Sequence, residues 1–189
     1  LLSVPGRGPG KQDCLSARVQ ARYPEALPVH RLDLGTSGLL VLARSPAMHR
    51  ALNRLFETRR VEKRYMALVA GRMAAGERVI DLPLIADWPN RPRQMVDHAI
   101  GKPSRTRLRV AGYEAGLDAT RVDLFPETGR SHQLRVHLQA IGHPILGDEL
   151  YAPPEVFARA PRLLLHAAFL GFFHPSTATG LRVESGAPF

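Results

Sequence analysis

The sequence is poor in cysteine and in acidic residues, and it has no long hydrophobic run. Cys14 is the only cysteine among 189 residues, so neither an internal disulfide nor a zinc site built from several cysteines can form. No apolar stretch approaches the roughly 20 residues of a membrane-spanning helix, and the opening LLSVPGRG lacks the layout of a signal peptide. These features predict a globular protein of the cytoplasm, and the chain length is typical of a single domain over residues 1–189.

Because acidic residues are few, the chain has a strong net positive charge. The chain carries 26 Lys and Arg against 17 Asp and Glu, a formal net charge of +9, which favours a polyanionic partner. A basic protein at a membrane surface is the competing interpretation. However, the arginines alternate with strand and turn patterns instead of forming one basic face of a long amphipathic helix. We therefore expect nucleic acid, and no membrane, as the partner.

Hydrophobic patterning predicts more strands than helices. Continuous or alternating apolar runs predict strands over residues 38–43, 63–71, 79–85, 106–113 and 119–127 and in the closing RLLLHAAFLGFFHP. Helices are expected within residues 13–23, after Ser45 with Pro46 at the first helical position, and from a Ser131 cap to Ile141. The pattern indicates an α+β fold with a mixed, largely antiparallel central sheet and flanking helices and loops.

One long polar segment interrupts the strands. Residues 87–107, DWPNRPRQMVDHAIGKPSRTR, contain three prolines and five Lys or Arg. Loops of this length inside compact domains often bind a partner, although a disordered connector has the same composition. Both interpretations remain open at this stage.

Several chemistries are excluded by spacing. His132 and His137 lie five residues apart on one predicted helix, about 140° around its axis, so they cannot bind one metal ion together. The sequence has no G-x-S-x-G elbow and no phosphate-binding glycine loop. What remains is Asp33 in HRLDLGTSGLLVLARS, and taken alone it is more typical of an aspartate that bonds to backbone N–H groups in its own turn.

Separated blocks of the sequence resemble the RluA family of pseudouridine synthases. HRLDLGTSGLLVLA resembles the family signature H-R-L-D-x-x-T-S-G, and the likeness continues in family order through KRYMALVAG, GKPSRT, TGRSHQLRVHLQAIGHPILGDELY and RLLLHAAFLGFFHP. LLSVPGRG and DLPLIADWPNRP are similar to the branch that modifies both 23S rRNA and the anticodon stem-loop of transfer RNA. The family's first strands, before its K-P-x-G turn, are expected to be missing from this chain.

The resemblance implies a catalytic set. Asp33 takes the place of the catalytic aspartate, which either adds to the uracil ring or takes a proton from the ribose, and both routes remain open. Tyr65 corresponds to the tyrosine that packs on the target base, and Arg135 to the basic residue that pairs with the aspartate. Without the family blocks, Tyr65 would be an ordinary strand aromatic and Arg135 a surface helix arginine. No metal or other cofactor is implied.

The resemblance and the charge pattern also imply an RNA-binding set. Arg31 corresponds to an arginine that can fill the space of the extruded nucleotide, and residues 87–107 are predicted to clamp RNA. The predicted RNA-binding residues are His30, Arg31, Arg91, Arg93, Lys102, Arg105, Arg130 and His132. We expect a monomeric isomerase acting on both RNA classes. The alternatives are a relative with a single RNA target and an inactive RNA-binding module.

Overall fold

The computed structural model describes residues 1–6 and 8–189, which form two compact units. The first contains Leu1–Lys63 and Ala167–Gly186, and the second contains Arg64–His166 and Ala187–Phe189. The helices are α1 (Leu15–Gln20), α2 (Pro46–Glu57), α3 (Gln133–Ala140) and α4 (Pro154–Phe157). The strands are β1 (Leu27–Pro28), β2 (Ser37–Gly38), β3 (Leu42–Ala43), β4 (Glu62–Ala70), β5 (Glu77–Asp81), β6 (Leu84–Ala86), β7 (Gln94–Val96), β8 (Arg105–Glu114), β9 (Ala119–Pro126), β10 (Leu165–Phe173) and β11 (Gly180–Glu184).

Side-chain caps start the two helices of the first unit. Ser45 is extended, and its hydroxyl accepts a hydrogen bond from the Met48 N–H at 3.1 Å, with Pro46 at the first helical position as predicted. Cys14 caps α1 in the same way: its fully buried sulfur accepts from the Ala17 N–H at 3.4 Å. The predictions of a helix within residues 13–23 and of a helix from Ser45 are confirmed.

The prediction of one buried strand over residues 38–43 is wrong. The segment contains β3 and the end of β2, separated by irregular backbone. Gly38 has a φ of 109°, and a Cβ at this position would lie 2.3 Å from the Ala167 carbonyl oxygen, so only glycine fits. The Leu39 N–H then donates to that same carbonyl at 2.9 Å. The chain bends here against β10 instead of continuing as a strand.

In the second unit, β4, β9, β8 and β5 lie side by side in that order, and their pairings are antiparallel. The predicted hairpin over 106–113 and 119–127 is confirmed, with a left-handed Asp118 closing its turn. Alternate side chains of these strands point into a core that includes Leu68, Leu108, Val122 and Leu124. This part of the sheet supports α3.

The predicted strand over residues 79–85 is divided into β5 and β6, which pair with different strands. Leu82 and Pro83 separate β5 from β6, because proline cannot donate to a ladder. β6 pairs with β7 in antiparallel register, and Leu84 is also bridged to Lys102. Most of residues 87–107 therefore form the turn and second strand of the β6–β7 hairpin and the segment that connects β7 to β8. The interpretation of this segment as a disordered connector is wrong.

Helix α3 begins later than predicted. Ser131 does not cap it: the N-cap position is His132, which has a left-handed backbone with φ of 54°. The predicted C-terminal stop is confirmed, since Gly142 has a φ of 84° and the His143 N–H donates to the Leu138 carbonyl.

The expected fold class is confirmed: the structure is α+β, and the sheet is mixed and largely antiparallel. β10 confirms the predicted closing strand, whereas the exposed β11 was not predicted. A single catalytic domain over 1–189 stays a prediction. In the described part of the chain, helices long and apolar enough to span a membrane are absent.

Candidate active site

Asp33 lies in a turn of the first unit and is half-buried. The Thr36 N–H donates to the Asp33 carbonyl at 2.9 Å, which closes the turn. The preceding residue is held by Ser3, whose hydroxyl both accepts from the Leu32 N–H and donates to the Leu32 carbonyl, each at 3.0 Å. The backbone that carries the predicted catalytic carboxylate is therefore fixed on both sides.

His30, three residues earlier, is held in a neutral form. Its ring stacks on Phe56 with centroids 4.7 Å apart, and its Nε2 accepts a hydrogen bond from the Val41 N–H at 3.1 Å. Burial, together with the nearby Lys63 ammonium, lowers the pKa of His30 from 6.5 to about 4. An uncharged imidazole packed in this way orders the segment before Asp33 and is poorly suited to hold a phosphate. The predicted RNA contact of His30 is not supported by these contacts.

The low pKa of His30 makes the first unit sensitive to acid. The unfolded side chain takes up a proton near pH 6.5, whereas the native ring remains unprotonated down to about pH 4. Acidification therefore favours unfolding. We expect the free energy of unfolding to be constant above pH 6.5 and to lose up to about 3 kcal/mol towards pH 4. His30→Gln retains an acceptor for Val41 and does not titrate. The free energy of unfolding, measured by urea titration at pH 4 to 8, should fall more steeply with acidification in the wild type than in the variant. The same pH dependence in both proteins would contradict a buried neutral ring.

Tyr65 lies on β4 in the second unit, opposite Leu124 of β9. Its side chain is half-buried and packs against the hydrophobic core at its edge. The sheet therefore fixes the position of the ring while leaving part of it accessible. This placement is compatible with packing on a base, and the predicted role stays a prediction.

Arg135 on α3 forms a buried ion pair with Asp148, which the sequence analysis did not identify. Its Nε donates to Oδ2 at 2.8 Å and its Nη2 donates to Oδ1 at 2.6 Å, and the two side chains are 6% and 1% exposed. Asp148 also accepts the N–H groups of Leu150 and Tyr151. A guanidinium has five N–H donors, and this pair uses two of them. The predicted pairing of Arg135 with Asp33 stays a prediction, since a second carboxylate can be bound at the same time.

Tyr151 joins α3 to the β6–β7 hairpin, and it too was missed. Its hydroxyl accepts from the Gln94 N–H at 2.8 Å and is hydrogen-bonded to His132 Nδ1 at 2.7 Å. The guanidinium carbons of Arg135 and Arg93 lie 5.0 and 5.3 Å from its ring centroid. Three of the predicted residues, His132, Arg135 and Arg93, thus meet around one aromatic ring. Tyr151 lies in the quoted GDELY block, which was the only signal in the sequence.

Gln133 anchors the turn that precedes α3. Its buried amide oxygen accepts from the Arg130 N–H at 3.0 Å and from the Thr128 hydroxyl at 2.7 Å, while its amide nitrogen donates to the Arg105 carbonyl and to Thr106 Oγ1. This network fixes the turn that leads into α3, while the N-cap residue His132 makes no side-chain cap hydrogen bond. The network also holds Arg130, whose exposed side chain donates through Nε to the Pro103 carbonyl at 3.3 Å.

The predicted RNA-binding cations differ in their partners. Arg105 lies 3.2 Å from Glu127 and 3.7 Å from Asp81, so neighbouring strands partly neutralise it. By contrast, in the described part of the chain carboxylates within 4 Å are absent for the exposed side chains of Arg31, Arg91, Arg93, Lys102 and Arg130. These five keep their charge for a polyanion, and Arg105 is the weakest candidate of the set.

The structure brings the predicted residues together in two groups. His30, Arg31 and Asp33 lie in the first unit, and Tyr65, Arg91, Arg93, Lys102, Arg105, Arg130, His132 and Arg135 in the second. Across the described residues, clusters of three His, Cys, Asp or Glu side chains that could hold a metal are absent. His137 is buried and hydrogen-bonded to Thr106 Oγ1 and the Leu82 carbonyl, which explains it as a structural residue.

Known proteins similar to this chain share one activity. The family model described as RNA pseudouridylate synthase matches residues 6–140. The Dual-specificity RNA pseudouridine synthase RluA of Escherichia coli K12 is 51% identical over 189 residues, 100% of this chain and 86% of that protein. The protein of the same name from Vibrio vulnificus CMCP6 is 52% identical over 180 residues, 94% of this chain and 72% of its own.

A solved structure agrees with the sequence comparisons. The human RNA Pseudouridylate Synthase Domain Containing 1 superposes with a TM-score of 0.81 at 32% identity, covering 93% of this chain and 75% of the human one. The resemblance carried by the HRLD, KRY and GRSHQLR blocks is thereby confirmed, and with it an isomerase activity on RNA. The chain belongs to the RNA pseudouridylate synthase family.

Proposed function

We propose that this enzyme isomerises uridines to pseudouridine in both 23S rRNA and the anticodon stem-loop of transfer RNA, with Asp33 as the catalytic residue. The observation that carries the dual target is the 51% identity over the whole chain to a dual-specificity enzyme. The family match over residues 6–140 includes Asp33, Tyr65 and Arg135, the three residues assigned to catalysis.

The reaction needs one carboxylate and one cation. The bond between N1 of uracil and C1′ of the ribose breaks, the base turns, C5 bonds to C1′, and the C5 proton leaves while N1 gains one. Asp33 acts while ionised, either by adding to the ring or by taking a proton from the ribose. In a site without water an ionised carboxylate needs a nearby cation, and Arg135 is always charged and is held by Asp148. Tyr65 packs on the base and takes the C5 proton.

Access to the uridine explains the surface charge. A base inside a stem-loop has to be flipped out, which costs a few kcal/mol of stacking. Contacts with phosphates offset this cost. Arg31, Arg91, Arg93, Lys102 and Arg130 supply exposed charge for such contacts, and His132 is a further RNA-binding residue. Arg31 fills the space of the flipped nucleotide, and residues 87–107 clamp the RNA.

The chain works as a monomeric, single catalytic domain in the cytoplasm, where its RNA substrates are, and it uses neither a metal nor a cofactor. No cofactor is needed because the isomerisation involves no net oxidation or reduction, and the protons that are lost and gained exchange with water.

The test is release of tritium from C5 of uridine, because pseudouridine formation expels that hydrogen into water. The wild-type protein is incubated with two transcripts, a transfer RNA anticodon stem-loop and a large-subunit rRNA hairpin, each labelled at C5. We expect stoichiometric release from both. Release from one RNA alone would identify the single-target relative, and tight binding of both RNAs with no release would identify an inactive binding module.

A further inference from the structure

Trp88 is an unusually exposed aromatic side chain at the tip of the β6–β7 hairpin. It is the only tryptophan in the sequence, and 67% of its surface is accessible. Indole is the largest apolar side chain and gains the most from burial, so proteins rarely leave it open. Its position in a predicted RNA-binding segment favours a binding role over a packing role.

The tip of the hairpin is fixed by its own hydrogen bonds. The Asp87 N–H donates to the Arg93 carbonyl at 3.0 Å, and the Asn90 N–H donates back to the Asp87 carbonyl at 3.0 Å. The Asn90 side chain donates to both carboxylate oxygens of Asp87, each at 3.0 Å. Trp88 is therefore presented by an ordered turn, which lowers the entropy that binding has to overcome.

The tip also carries positive charge beside the ring. The guanidinium carbon of Arg91 lies 4.0 Å from the indole centroid, and its Nε donates to the Trp88 carbonyl at 3.0 Å. Within the described part of the chain, carboxylates that pair with Arg91 or Arg93 are absent. An exposed indole with neighbouring arginines matches the way proteins bind single-stranded RNA, where bases stack on aromatic rings and cations hold the phosphates.

We propose that Trp88, supported by Arg91, is a stacking platform for an unpaired nucleobase of the substrate RNA. This inference rests on the proposed function and adds a contact to the predicted RNA-clamping segment. Bases within a duplex already stack on each other and cannot cover the indole. The platform therefore favours a loop over a stem through base stacking, a contact that phosphate groups do not make.

The single tryptophan allows a direct test, because all indole fluorescence of these 189 residues comes from Trp88. The protein is titrated with the anticodon stem-loop and with a blunt duplex of the same stem, and binding is followed independently by the anisotropy of labelled RNA. We expect the stem-loop at saturation to quench the fluorescence and to shield it from iodide. The duplex should leave both signals close to those of the unbound protein. Unchanged fluorescence with the stem-loop bound would overturn the proposal.

Variants separate stacking from apolar contact. Trp88→Leu should weaken stem-loop binding by about 5- to 150-fold, the range for loss of one aromatic–base stack, with little effect on the duplex. Trp88→Phe should restore most of the affinity. The matched control is Leu117→Ala, which removes an apolar side chain that is 44% exposed in the same unit, lies outside residues 87–107 and has no ring. We expect it to bind like wild type. Equal losses for Leu and Phe, or equal losses on stem-loop and duplex, would contradict stacking.

The result is independent of the test of the reaction. Tritium release with unchanged fluorescence would leave the synthase activity intact and remove the stacking platform. Quenching without tritium release would support the stacking platform and contradict the proposed synthase reaction. If the protein binds neither RNA at the concentrations of the assay, both proposals fail.

Discussion

Asp33→Asn is expected to abolish tritium release from both RNAs while leaving RNA affinity within about tenfold of wild type. The amide cannot add to the ring or accept a ribose proton at a useful rate, so we expect kcat to fall by at least about 10⁴-fold, as for the loss of a nucleophile or base in other enzymes. Affinity is retained because phosphate contacts dominate binding. Single-turnover tritium release, measured with the RNA saturated by enzyme, gives the rate of the chemical step separately from the RNA affinity.

The matched control for Asp33→Asn is Asp13→Asn. It removes one negative charge from the same unit, at an exposed carboxylate that pairs with Arg18 at 2.7 Å. We expect normal release from this variant, since an exposed ion pair contributes little. Loss of RNA binding by Asp33→Asn alone would contradict the division between a catalytic carboxylate and a binding surface. Residual release close to wild type would exclude Asp33 as the catalytic residue.

Arg135→Ala is expected to affect both stability and chemistry. It leaves the Asp148 carboxylate, 1% exposed, without its guanidinium, and breaking a buried pair in this way costs about 3–5 kcal/mol of unfolding free energy. If Arg135 also holds the ionised Asp33, kcat falls by about 10²-fold or more in the folded fraction. Urea unfolding gives the first quantity. Single-turnover release at low temperature, where the variant is still folded, gives the second.

Arg135→Lys distinguishes a structural from a mechanistic role. Lysine keeps the charge and loses the two-pronged geometry, so it should regain part of kcat while the unfolding free energy stays low. Activity that follows the folded fraction alone in both variants would mean that Arg135 acts only by pairing with Asp148. Normal turnover by Arg135→Ala would remove it from the mechanism.

Local signals predicted the elements that depend on neighbouring residues. The Ser45–Pro46 start of α2, the alternation in β8 and β9 and the glycine after α3 each depend on contacts within a few positions. The prediction of one strand over residues 38–43 is wrong because an apolar run carries no information about Ala167, whose carbonyl lies close to Gly38 and accepts from the Leu39 N–H. The error therefore comes from a contact that is distant in the sequence.

Sequence analysis identified candidate residues for the site, whose roles stay predictions, but it did not identify the contacts that they make. Asp33, Tyr65 and Arg135 came from family blocks, because single residues cannot distinguish a turn aspartate from a catalytic one. Asp148 and Tyr151 could not be derived as partners of Arg135, since a charge pattern does not say which acid reaches which base across a turn. The Ser131 cap was wrong because the N-cap position is the left-handed His132, in a turn fixed by tertiary hydrogen bonds of Gln133 that a local pattern does not reveal.

The buried cap of α1 has a practical consequence for experiments in solution. Cys14 is the only thiol of the chain and its surface is fully covered, so a thiol reagent reaches it only when the N-terminal segment opens. The rate of its modification in native conditions thus reports the opening equilibrium of that segment. For the same reason, a cysteine introduced on the surface can carry a dye at a single defined position without removing the natural one.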